Sequence, residues 1–518
     1  MKQITILWTD DEIDILTSHI LFLEEKGYIV ETANNGKDAI ELVREKEFDL
    51  VFLDENMPGL SGLETLKEIK VIAPNIPVVM ITKSEEENIM EEAIGSNIDD
   101  FLIKPVNPHQ ILLSIKKNID QKRLVTEKTT SGYQADFAKI GTEINSAMCF
   151  DDWVTIYKKL VYWELELDKS EDSNMAEVYR MQETEANNEF GKFVKSNYFS
   201  WFDPDGEYKP LLSPDIFSRR IFPLIAKGEN VFMIVVDNLR FDQWKIIYQA
   251  FGDYFRVDRE EIYCSILPTV TQYSRNALFA GLMPLEIEQS YPGLWVYDEE
   301  ETGKNLKERE LLENQLRRRG TDFPFTYEKV TNLANGKKLI ENILNYINRP
   351  LVVAVYNFVD ILSHARTEME VIRELASNES AYRSLTLSWF QHSSLLELIK
   401  ILAHHDLTLV ITTDHGSIRV QNPVKVIGDR KTSTNLRYKL GRNLDYDPKT
   451  VFEMKDPSTA YLPKSNVSSR YIFSLNYDFF AYPQNYHHYV KYYRNTFQHG
   501  GISLQEMLIP FVVLRPVR

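Results

Sequence analysis

Three apolar runs in the C-terminal half of the chain each lead into an acidic residue. The segments NVFMIVVDN, PLVVAVYNFVD and LTLVITTDHG place Asp237, Asp360 and Asp414 at or just after a β-rich stretch. Runs that are apolar throughout are typical of strands buried on both faces of a parallel sheet, and ligands bind at the carboxyl edge of such a sheet. The pattern therefore predicts an α/β domain whose acidic side chains converge at one edge.

The first 120 residues show a separate α/β pattern. Short β-rich runs alternate with amphipathic helical stretches, which predicts a parallel sheet covered by helices. The runs are ITILW, YIVETA, DLVFLD, PVVMIT and DDFLIK. Between the two α/β regions, strand-like runs are missing and bulky residues recur at helical spacing, as in WVTIYKKLVYWELEL. We therefore predict an α/β domain over 1–120, a small helical bundle over 121–208 and a second α/β domain over 209–518.

Composition excludes several classes of protein. The chain has no run of about 18 apolar residues, and acidic residues interrupt its N-terminus where a secretory signal would continue. We therefore expect a cytoplasmic protein without membrane insertion. Its two cysteines, Cys149 and Cys264, are too few for a disulfide framework or a thiolate zinc site. Any metal ion must then be held by carboxylate and imidazole groups.

Four charged side chains of the N-terminal domain fall at predicted strand ends. Asp10 and Asp11 follow the first strand, Asp54 ends the third and Lys104 follows the fifth. Three carboxylates at one edge bind a hard divalent ion such as Mg²⁺, and the ion and the Lys104 ammonium neutralise an incoming phosphoryl group. The arrangement predicts that Asp54 attacks phosphorus and becomes an acyl phosphate. The alternative is a generic α/β domain with acidic loop ends.

This segment resembles the receiver domain of two-component response regulators over its full length, which implies a flavodoxin-like (βα)5 fold. The resemblance also implies that Asn56 joins the Mg²⁺ shell through its backbone carbonyl and that Thr82 and Phe101 form the switch pair. Thr82 ends the fourth predicted strand, where its hydroxyl can bond the new phosphoryl oxygens. The phosphodonor partner implied by the family is a histidine kinase.

The C-terminal domain contains a complete set of oxygen and nitrogen ligands for two zinc ions. Two such sites with open positions can clamp the attacking and the leaving oxygens of phosphoryl transfer. Asp360 and His364, spaced i and i+4, face one metal if a helical turn follows their strand. One predicted site comprises Asp360, His364 and His499, and the other comprises Asp237, Asp414 and His415.

Two threonines in LPTVTQYSRNALFAG, Thr269 and Thr271, are candidates for a hydroxyl nucleophile. Thr271 lies near the start of a predicted helix, where backbone N–H groups favour anionic phosphate. The alternative role for Thr271 is a helix N-cap. With the metal ligands present, we predict that Thr271 is the nucleophile and also contacts zinc.

A basic stretch runs from Lys425 to Arg442. It is either a solvated loop or a phosphate clamp. We predict substrate contacts from Arg437, Lys439 and Arg442. The nearby segment YPQNYHHYVKYYRN is predicted to be an aromatic patch rather than a metal site.

Residues from about 230 to 518 resemble the PglZ branch of the alkaline phosphatase superfamily, which implies an α/β/α sandwich, two zinc ions and a covalent phosphothreonine intermediate. Related nucleotide phosphodiesterases have an Asn a few residues after the nucleophile, where this chain has Ser274 and Arg275. The whole order of domains resembles the PorX family of response regulators of Bacteroidetes. That resemblance implies phosphodiesterase activity on cyclic or linear oligonucleotides, a phosphorylation-linked homodimer and a role in type IX secretion. The alternative is a signalling adaptor with a structural zinc site that binds a sigma factor or a secretion component.

Overall fold

The computed structural model describes residues 4–517 except 75, 84–97, 171–172, 204–208, 299, 301–302, 322, 430–431 and 465, with the backbone alone for 119–128 and 173. The chain forms two compact units, one of Met1–Gln134 with Lys169–Asp172 and one of Ala135–Asp168 with Ser173–Arg518. The three-domain boundaries drawn from the sequence stay a prediction. No helix within the described ranges is long and apolar enough to cross a membrane.

A parallel five-stranded sheet forms the first unit, which confirms the flavodoxin-like prediction. Its strands are β1 (Thr5–Thr9), β2 (Ile29–Ala33), β3 (Leu50–Asp54), β4 (Val78–Thr82) and β5 (Asp100–Ile103), in the order β2-β1-β3-β4-β5. Its described helices are α1 (Thr17–Glu25), α2 (Gly36–Glu45), α3 (Gly62–Ile72) and α4 (Pro108–Ile115). The segment between β4 and β5 contains residues 84–97, which lie outside the described part of the chain.

Local sequence fixes both the helix starts and the two faces of this sheet. Asn35 caps α2, and Ser61 forms a capping box with Glu64 at the start of α3. Alternate strand residues point to opposite faces, so Leu53 packs in one buried cluster and Phe52 in the other. The unit is therefore a sheet with a hydrophobic core on each side.

Three long helices follow, as the sequence predicted for the central region. They are α5 (Gln121–Ser146), α6 (Phe150–Ser170) and α7 (Ser173–Asn197). The indole of Trp153 on α6 lies 5.4 Å from the ring of Phe190 and 6.0 Å from the ring of Phe193, both on α7. Aromatic contacts at helical spacing thus pack α6 against α7.

A six-stranded mixed sheet organises the rest of the second unit, so the α/β fold class is confirmed here as well. Its strands are β6 (Val231–Val236), β7 (Phe255–Cys264), β8 (Phe325–Val330), β9 (Leu351–Tyr356), β10 (Thr408–Thr412) and β18 (Leu508–Pro516), in the order β7-β18-β10-β6-β9-β8. The three runs that end near acidic residues, β6, β9 and β10, are parallel neighbours. The sheet is not parallel throughout, because β18 pairs antiparallel with both β10 and β7.

Helices connect these strands, and smaller strands lie outside the main sheet. The helices are α8 (Phe222–Ala226), α9 (Phe241–Gln249), α10 (Thr271–Ala280), α11 (Pro284–Ser290), α12 (Glu308–Arg318), α13 (Leu333–Glu341), α14 (Ile343–Tyr346), α15 (Phe358–Glu368), α16 (Glu370–Leu375), α17 (Glu379–Gln391), α18 (Ser394–Leu402), α19 (Tyr486–Tyr493) and α20 (Leu504–Met507). The smaller strands are β11 (Ile418–Arg419), β12 (Asn422–Lys425), β13 (Tyr438–Gly441), β14 (Val451–Met454), β15 (Arg470–Ser474), β16 (Asp478–Ala481) and β17 (Phe497–Gln498).

Candidate functional sites

Two groups of potential metal ligands lie at the carboxyl edge of the mixed sheet. In each group, one ligand atom from every residue lies within 4.8 Å of the others. The groups are Asp360, His364 and His499, called here cluster A, and Asp237, Asp414 and His415, called cluster B. The structure thus brings together the six zinc ligands that the sequence predicted, in the predicted sets of three.

Cluster A is built on the helix that follows β9. Asp360 and His364 lie one turn apart on α15, and the distance from His364 Nε2 to Asp360 Oδ2 is 3.5 Å. His499 comes from just after β17, and its Nε2 lies 3.5 Å from Asp360 Oδ1. The helical turn that the i, i+4 spacing required is therefore present, and the His364 side chain is 60% exposed at the mouth of the site.

Cluster B is buried at the ends of two neighbouring strands. Asp237 directly follows β6, and Asp414 and His415 follow β10. His415 Nε2 is 3.7 Å from Asp237 Oδ1 and 3.7 Å from Asp414 Oδ2. The other ring nitrogen, His415 Nδ1, is 3.1 Å from the carbonyl of Gly416, so Nε2 is the nitrogen that faces the carboxylates.

The two clusters adjoin each other. The rings of His415 and His499 stack with centroids 4.3 Å apart. Asn238 also joins them, since its amide nitrogen donates to Asp360 Oδ1 at 3.3 Å while its backbone N–H points to Asp414 Oδ1 at 3.5 Å. Asn238 adopts φ 64°, a left-handed conformation that Asn tolerates better than most residues.

Burial and charge shift the pKa values of these groups in different directions. Burial raises the pKa of Asp360 to about 6, and the neighbouring charge of Asp237 adds to that rise. Burial and Asp237 likewise raise the pKa of Asp414. Burial opposes ionisation of Asp237 too, but Arg275, His415 and Thr271 together outweigh it and lower the pKa of that carboxyl. Burial holds the pKa of His499 well below its usual range, which leaves a neutral imidazole suited to metal binding.

Thr271 stands beside cluster B. Its Oγ1 lies 3.3 Å from Asp237 Oδ1 and 3.1 Å from His415 Nε2. It is the first residue of α10, whose N-cap is Val270, so the N-cap alternative for Thr271 does not hold. The helix start instead directs this hydroxyl toward the predicted metal ligands.

Thr269 has a different task. Its hydroxyl donates to the Gly501 carbonyl and accepts from the Gly500 N–H, both at 3.0 Å. Its own carbonyl lies 3.3 Å from His499 Nδ1. Because these bonds occupy the hydroxyl in a buried site, Thr269 anchors His499 and is not the nucleophile candidate.

The chemistry of both clusters fits a divalent metal such as zinc. Each offers carboxylate oxygen and imidazole nitrogen, the donor types of catalytic zinc sites. Asp414 Oδ2 is buried and accepts no hydrogen bond from any residue that the structure describes. Arg275 Nη1, at 3.8 Å, is too far away for a hydrogen bond, so a metal ion would supply the partner that this buried oxygen lacks.

The sequence did not predict Asn238 as a residue of the site, and it did not predict the role of Arg275. Asn238 bridges the two clusters, and the available signal was an Asn directly after a strand-ending Asp. Arg275, named from sequence only as a neighbour of the nucleophile, is fully buried with Nη1 2.7 Å from Asp237 Oδ2. Ser274 Oγ donates to the Val270 carbonyl at 2.8 Å, so it is a helix residue and not a phosphate contact.

The structure corrects the predicted substrate contacts in the basic stretch. Arg437 is fully buried, and its guanidinium pairs with Glu506 at 2.5 Å. Lys439 is buried as well, and its ammonium donates to the Ser433 carbonyl at 2.9 Å. Neither cation has a free face for a substrate, because the fold uses both internally. Arg442 is exposed just beyond β13, and Arg430 and Lys431 lie outside the described residues.

Helix α19 carries the aromatic segment near residue 490. None of its residues is buried, and His488 stacks on Tyr492 with ring centroids 6.3 Å apart. Among the described residues, neither His487 nor His488 belongs to a group of potential metal ligands. The segment is therefore a surface aromatic patch.

In the first unit, the strand ends bring the predicted phosphoacceptor and its neighbours together. Asp10, Asp11 and Asp54 each place a carboxylate oxygen within 4.8 Å of the others. Lys104 Nζ lies 2.7 Å from Asp10 Oδ2 and 2.8 Å from Asp54 Oδ1. Burial raises the pKa of Asp54, and the hydrogen bond from Lys104 opposes that rise. Three carboxylates and one ammonium fit a Mg²⁺ ion and a phosphoryl group.

The remaining predicted receiver residues surround that group. Thr82 is the buried last residue of β4, and Asn56 is exposed in the turn after β3. Phe101 lies on β5 with 38% of its surface exposed. Its partner in the parallel register is Met80, two residues before Thr82. The structure places Thr82 and Phe101 on adjacent strands.

Comparison with known proteins assigns each region to a family. Residues 6–116 match the response regulator receiver domain, residues 123–202 the PorX response regulator linker domain, and residues 216–514 the BREX system PglZ alkaline phosphatase-like domain. The chain belongs to the PglZ family. Receiver domain, linker domain and PglZ domain in this order form the architecture of the PorX family, and the chain is a two-component response regulator. A receiver domain implies a phosphodonor such as a histidine kinase.

Individual relatives match about a quarter of this chain or less. The transcriptional regulatory protein ZraR of Klebsiella oxytoca is 39% identical over 140 residues, which is 27% of this chain and 32% of the relative. The CpxR homologue of Haemophilus influenzae is 40% identical over 113 residues, 21% of this chain and 48% of the relative. This chain therefore spans about a third to a half of the length of these curated relatives. A CheY-like receiver domain from Methanospirillum hungatei has 28% identity and a TM-score of 0.23, and the match covers 23% of this chain and 96% of that one.

Proposed function

We propose that this response regulator is a two-zinc phosphodiesterase that hydrolyses cyclic or linear oligonucleotides under the control of Asp54 phosphorylation. One observation carries the proposal. The Thr271 hydroxyl lies at a helix N-terminus, 3.1 Å from His415 Nε2 and 3.3 Å from Asp237 Oδ1, where cluster B meets cluster A. A hydroxyl held among metal ligands is the arrangement that covalent phosphoryl transfer requires.

Thr271 acts as the nucleophile in this proposal. Its Oγ forms a bond to phosphorus while the bond from phosphorus to the leaving oxygen breaks, and the hydroxyl proton ends on the leaving alkoxide. Water then breaks the bond between Oγ and phosphorus, which releases a phosphomonoester and restores the hydroxyl. Zinc ions bound at both clusters would lower the pKa of the nucleophile and neutralise negative charge on the phosphoryl oxygens.

A cavity next to cluster A supports a nucleotide substrate. Its volume is about 420 Å³, and His364 and His499 form one wall. Its other walls include Lys304, Tyr492 and Tyr493. The ammonium group of Lys304 attracts phosphate, and the tyrosine rings can stack on nucleobases with little preference for the base. In this proposal, Tyr492 and Tyr493 of α19 form one side of the substrate cleft.

In this proposal, phosphorylation of the receiver domain controls the activity of the enzyme. A histidine kinase phosphorylates Asp54, and receiver domains change their exposed surfaces when they become phosphorylated. A two-fold contact between receiver domains would link phosphorylation to a homodimer. We propose, from the PorX-type order of its domains, that the protein regulates type IX secretion.

Substitution of the proposed nucleophile, Thr271, gives the decisive test. Thr271→Val keeps the shape and removes the hydroxyl, so we expect turnover of bis-p-nitrophenyl phosphate and of short oligonucleotides to fall by a factor of about 10³ or more. Thr271→Ser keeps a hydroxyl and is expected to retain measurable turnover. Zinc content, measured by elemental analysis, should remain at two ions in both variants. Parent-rate hydrolysis by Thr271→Val would exclude this mechanism.

The position of Thr271 also favours an enzyme over a signalling adaptor. An adaptor with a structural zinc site needs neither a hydroxyl among the ligands nor a cleft beside them. The adaptor alternative predicts that zinc removal abolishes partner binding and that Thr271→Val has no effect on any activity. Assay of the purified wild-type protein with zinc separates the two, since an adaptor hydrolyses neither substrate.

A further inference from the structure

Arg275 lies one turn after Thr271 on α10 and is fully buried. Its Nη1 is 2.7 Å from Asp237 Oδ2 and 3.8 Å from Asp414 Oδ2. The guanidinium thus contacts both carboxylates of cluster B from inside the protein. It has no exposed face for a substrate.

The two oxygens of Asp237 have different partners. Oδ1 lies 3.3 Å from Thr271 Oγ1 and 3.7 Å from His415 Nε2. Oδ2 is held by Arg275 at 2.7 Å. A carboxylate bound in this way by a charged donor cannot rotate without breaking the ion pair. Arg275 therefore selects which oxygen of Asp237 faces the rest of cluster B.

Arg275 is itself fixed from the opposite side. Its Nε lies 2.6 Å from Oε1 of Glu308, a buried residue at the start of α12. Glu308 Oε2 accepts a hydrogen bond from Lys329 Nζ at 3.0 Å and another from the Tyr327 hydroxyl, both on β8. A planar guanidinium gripped by two carboxylates on different elements has little freedom to move.

We propose that Arg275 is a positioning residue for the second metal site: it orients Asp237 and, through Asp237, the Thr271 hydroxyl. This inference rests on the proposed function, because it takes cluster B to be a metal site. Two effects of Arg275 on metal binding oppose each other. Its positive charge repels a divalent ion, whereas its ion pair with Asp237 holds that carboxylate in the orientation that binds the ion.

The orienting effect is the larger one in this geometry. Arg275 binds Asp237 Oδ2 and leaves Oδ1, the oxygen nearest His415 and Thr271, free for the ion. Its Nη1 also lies 3.8 Å from Asp414 Oδ2, so part of the repulsion remains. Loss of a residue that orients a metal ligand typically reduces metal affinity 10- to 100-fold. The Glu308 carboxylate partly neutralises the guanidinium, which weakens the repulsion.

The test is zinc affinity, measured by chelator competition on the full-length metal-free protein. We expect Arg275→Met to weaken one of the two zinc sites about 10- to 100-fold and to leave the other within about twofold. Arg275→Lys keeps a charge that reaches one carboxylate, and it should recover part of the affinity. The matched control is Arg515→Met. Arg515 lies near the end of β18 and pairs with Glu229, which precedes β6 and so lies at the opposite end of that strand from Asp237, and the variant should leave both zinc sites unchanged.

Kinetics give a second readout. At saturating zinc, Arg275→Met should lower kcat more than it raises KM, because Arg275 touches no substrate and acts on the nucleophile's surroundings. If Arg275→Met does not fold, Glu308→Gln takes its place, since it loosens Arg275 without removing it. We expect Glu308→Gln to weaken one zinc site by a smaller factor.

The zinc content of the wild type tests the two-zinc function, and the zinc affinity of the variants tests the positioning role of Arg275. Wild-type protein that binds fewer than two zinc ions overturns the two-zinc function. Wild-type protein that binds two ions, together with variants at Arg275 or Glu308 that bind both with unchanged or tighter affinity, overturns the positioning role of Arg275 and leaves the two-zinc function standing.

Discussion

The imidazole rings of His415 and His499 stack with their centroids 4.3 Å apart and their planes at 19°. His415 follows the central strand β10, whereas His499 comes from a late loop after β17. Their contact therefore places a predicted ligand from the sheet edge against a predicted ligand from the loop after β17. It also places cluster A and cluster B side by side.

Metal content should respond to one ligand from each cluster. His364→Ala removes a cluster A ligand and Asp414→Ala a cluster B ligand, and we expect each variant to retain one zinc ion or none by elemental analysis, because a three-residue shell loses a third of its donors. His487→Ala, an exposed histidine outside both clusters, is the control and should retain two ions. Two ions in both cluster variants would mean that the ligand sets are wrong.

Asp54 is expected to be the sole phosphoacceptor of the receiver domain. Asp54→Asn keeps the shape but removes the nucleophilic carboxylate, so incubation with acetyl phosphate and Mg²⁺ should add one phosphoryl group to the wild type and none to the variant, measured by intact mass. Asp14→Asn, an exposed acid on the same domain, should behave as the wild type. Light scattering of the phosphorylated wild type should report the mass of a dimer, and equal masses with and without phosphate would contradict the proposed control.

Some of the site could be predicted from the sequence because the relevant signals are local. Asp237 and Asp414 end apolar strands, and parallel strands bring their carboxyl ends to one edge. Asp360 and His364 have the i, i+4 spacing of one helix face. These patterns identify ligands without any knowledge of distant contacts.

The misplaced residues depend on contacts between distant parts of the chain. Arg437 looked like a surface cation, yet Glu506 and several backbone carbonyls enclose it. Lys439 lies on β13, an edge strand of the sheet β13-β15-β14, and its side chain is buried with the ammonium 4.6 Å from the centre of the Tyr482 ring. No local pattern shows that a basic run will be turned inward.

The buried Lys439 should make stability depend on pH. Burial lowers its pKa to about 7, whereas an unfolded chain has a lysine pKa of about 10.4. Between these values the unfolded state binds a proton that the folded state does not, so the folded state loses stability as the pH falls from about 10 to 7. Lys439→Met removes this loss, and we expect it to raise the free energy of unfolding by about 1 to 3 kcal/mol at pH 7.

The gain from Lys439→Met should shrink at higher pH. The free energy needed to remove the proton of Lys439 on folding falls as the pH approaches the unfolded pKa, so the difference between variant and wild type in urea unfolding should be smaller at pH 9.5 than at pH 7. The control is Lys449→Met, an exposed lysine in the same region, which should change stability by no more than about 0.5 kcal/mol at either pH. A gain that is equal at both pH values would show that Lys439 is charged in the folded protein.

Arg383 should stabilise the packing of helix α6 against helix α9. Its guanidinium lies 2.5 Å from Glu164 on α6 and 2.9 Å from Asp242 on α9, and it also pairs with Asp168. Arg383→Met leaves the carboxylates of Glu164 and Asp242 buried with fewer partners, so we expect it to lower the free energy of unfolding by about 3 kcal/mol or more. Burial already raises the pKa of Glu164 to about 8 with Arg383 present, which indicates how poorly that carboxylate is solvated.

A double-mutant cycle tests whether Glu164 is the partner that matters. Glu164→Gln replaces the buried carboxyl group that Arg383→Met leaves without its partner, so the double variant should be more stable than Arg383→Met alone, with a coupling energy of about 1 to 3 kcal/mol in urea unfolding. Lys192→Met, which removes an exposed cation from α7, should change stability little. Asp242 lies five residues after the predicted ligand Asp237, so Arg383→Met should also speed zinc loss to a chelator. Additive effects of the two substitutions would show that Arg383 stabilises the protein through Asp242 and Asp168 and not through Glu164.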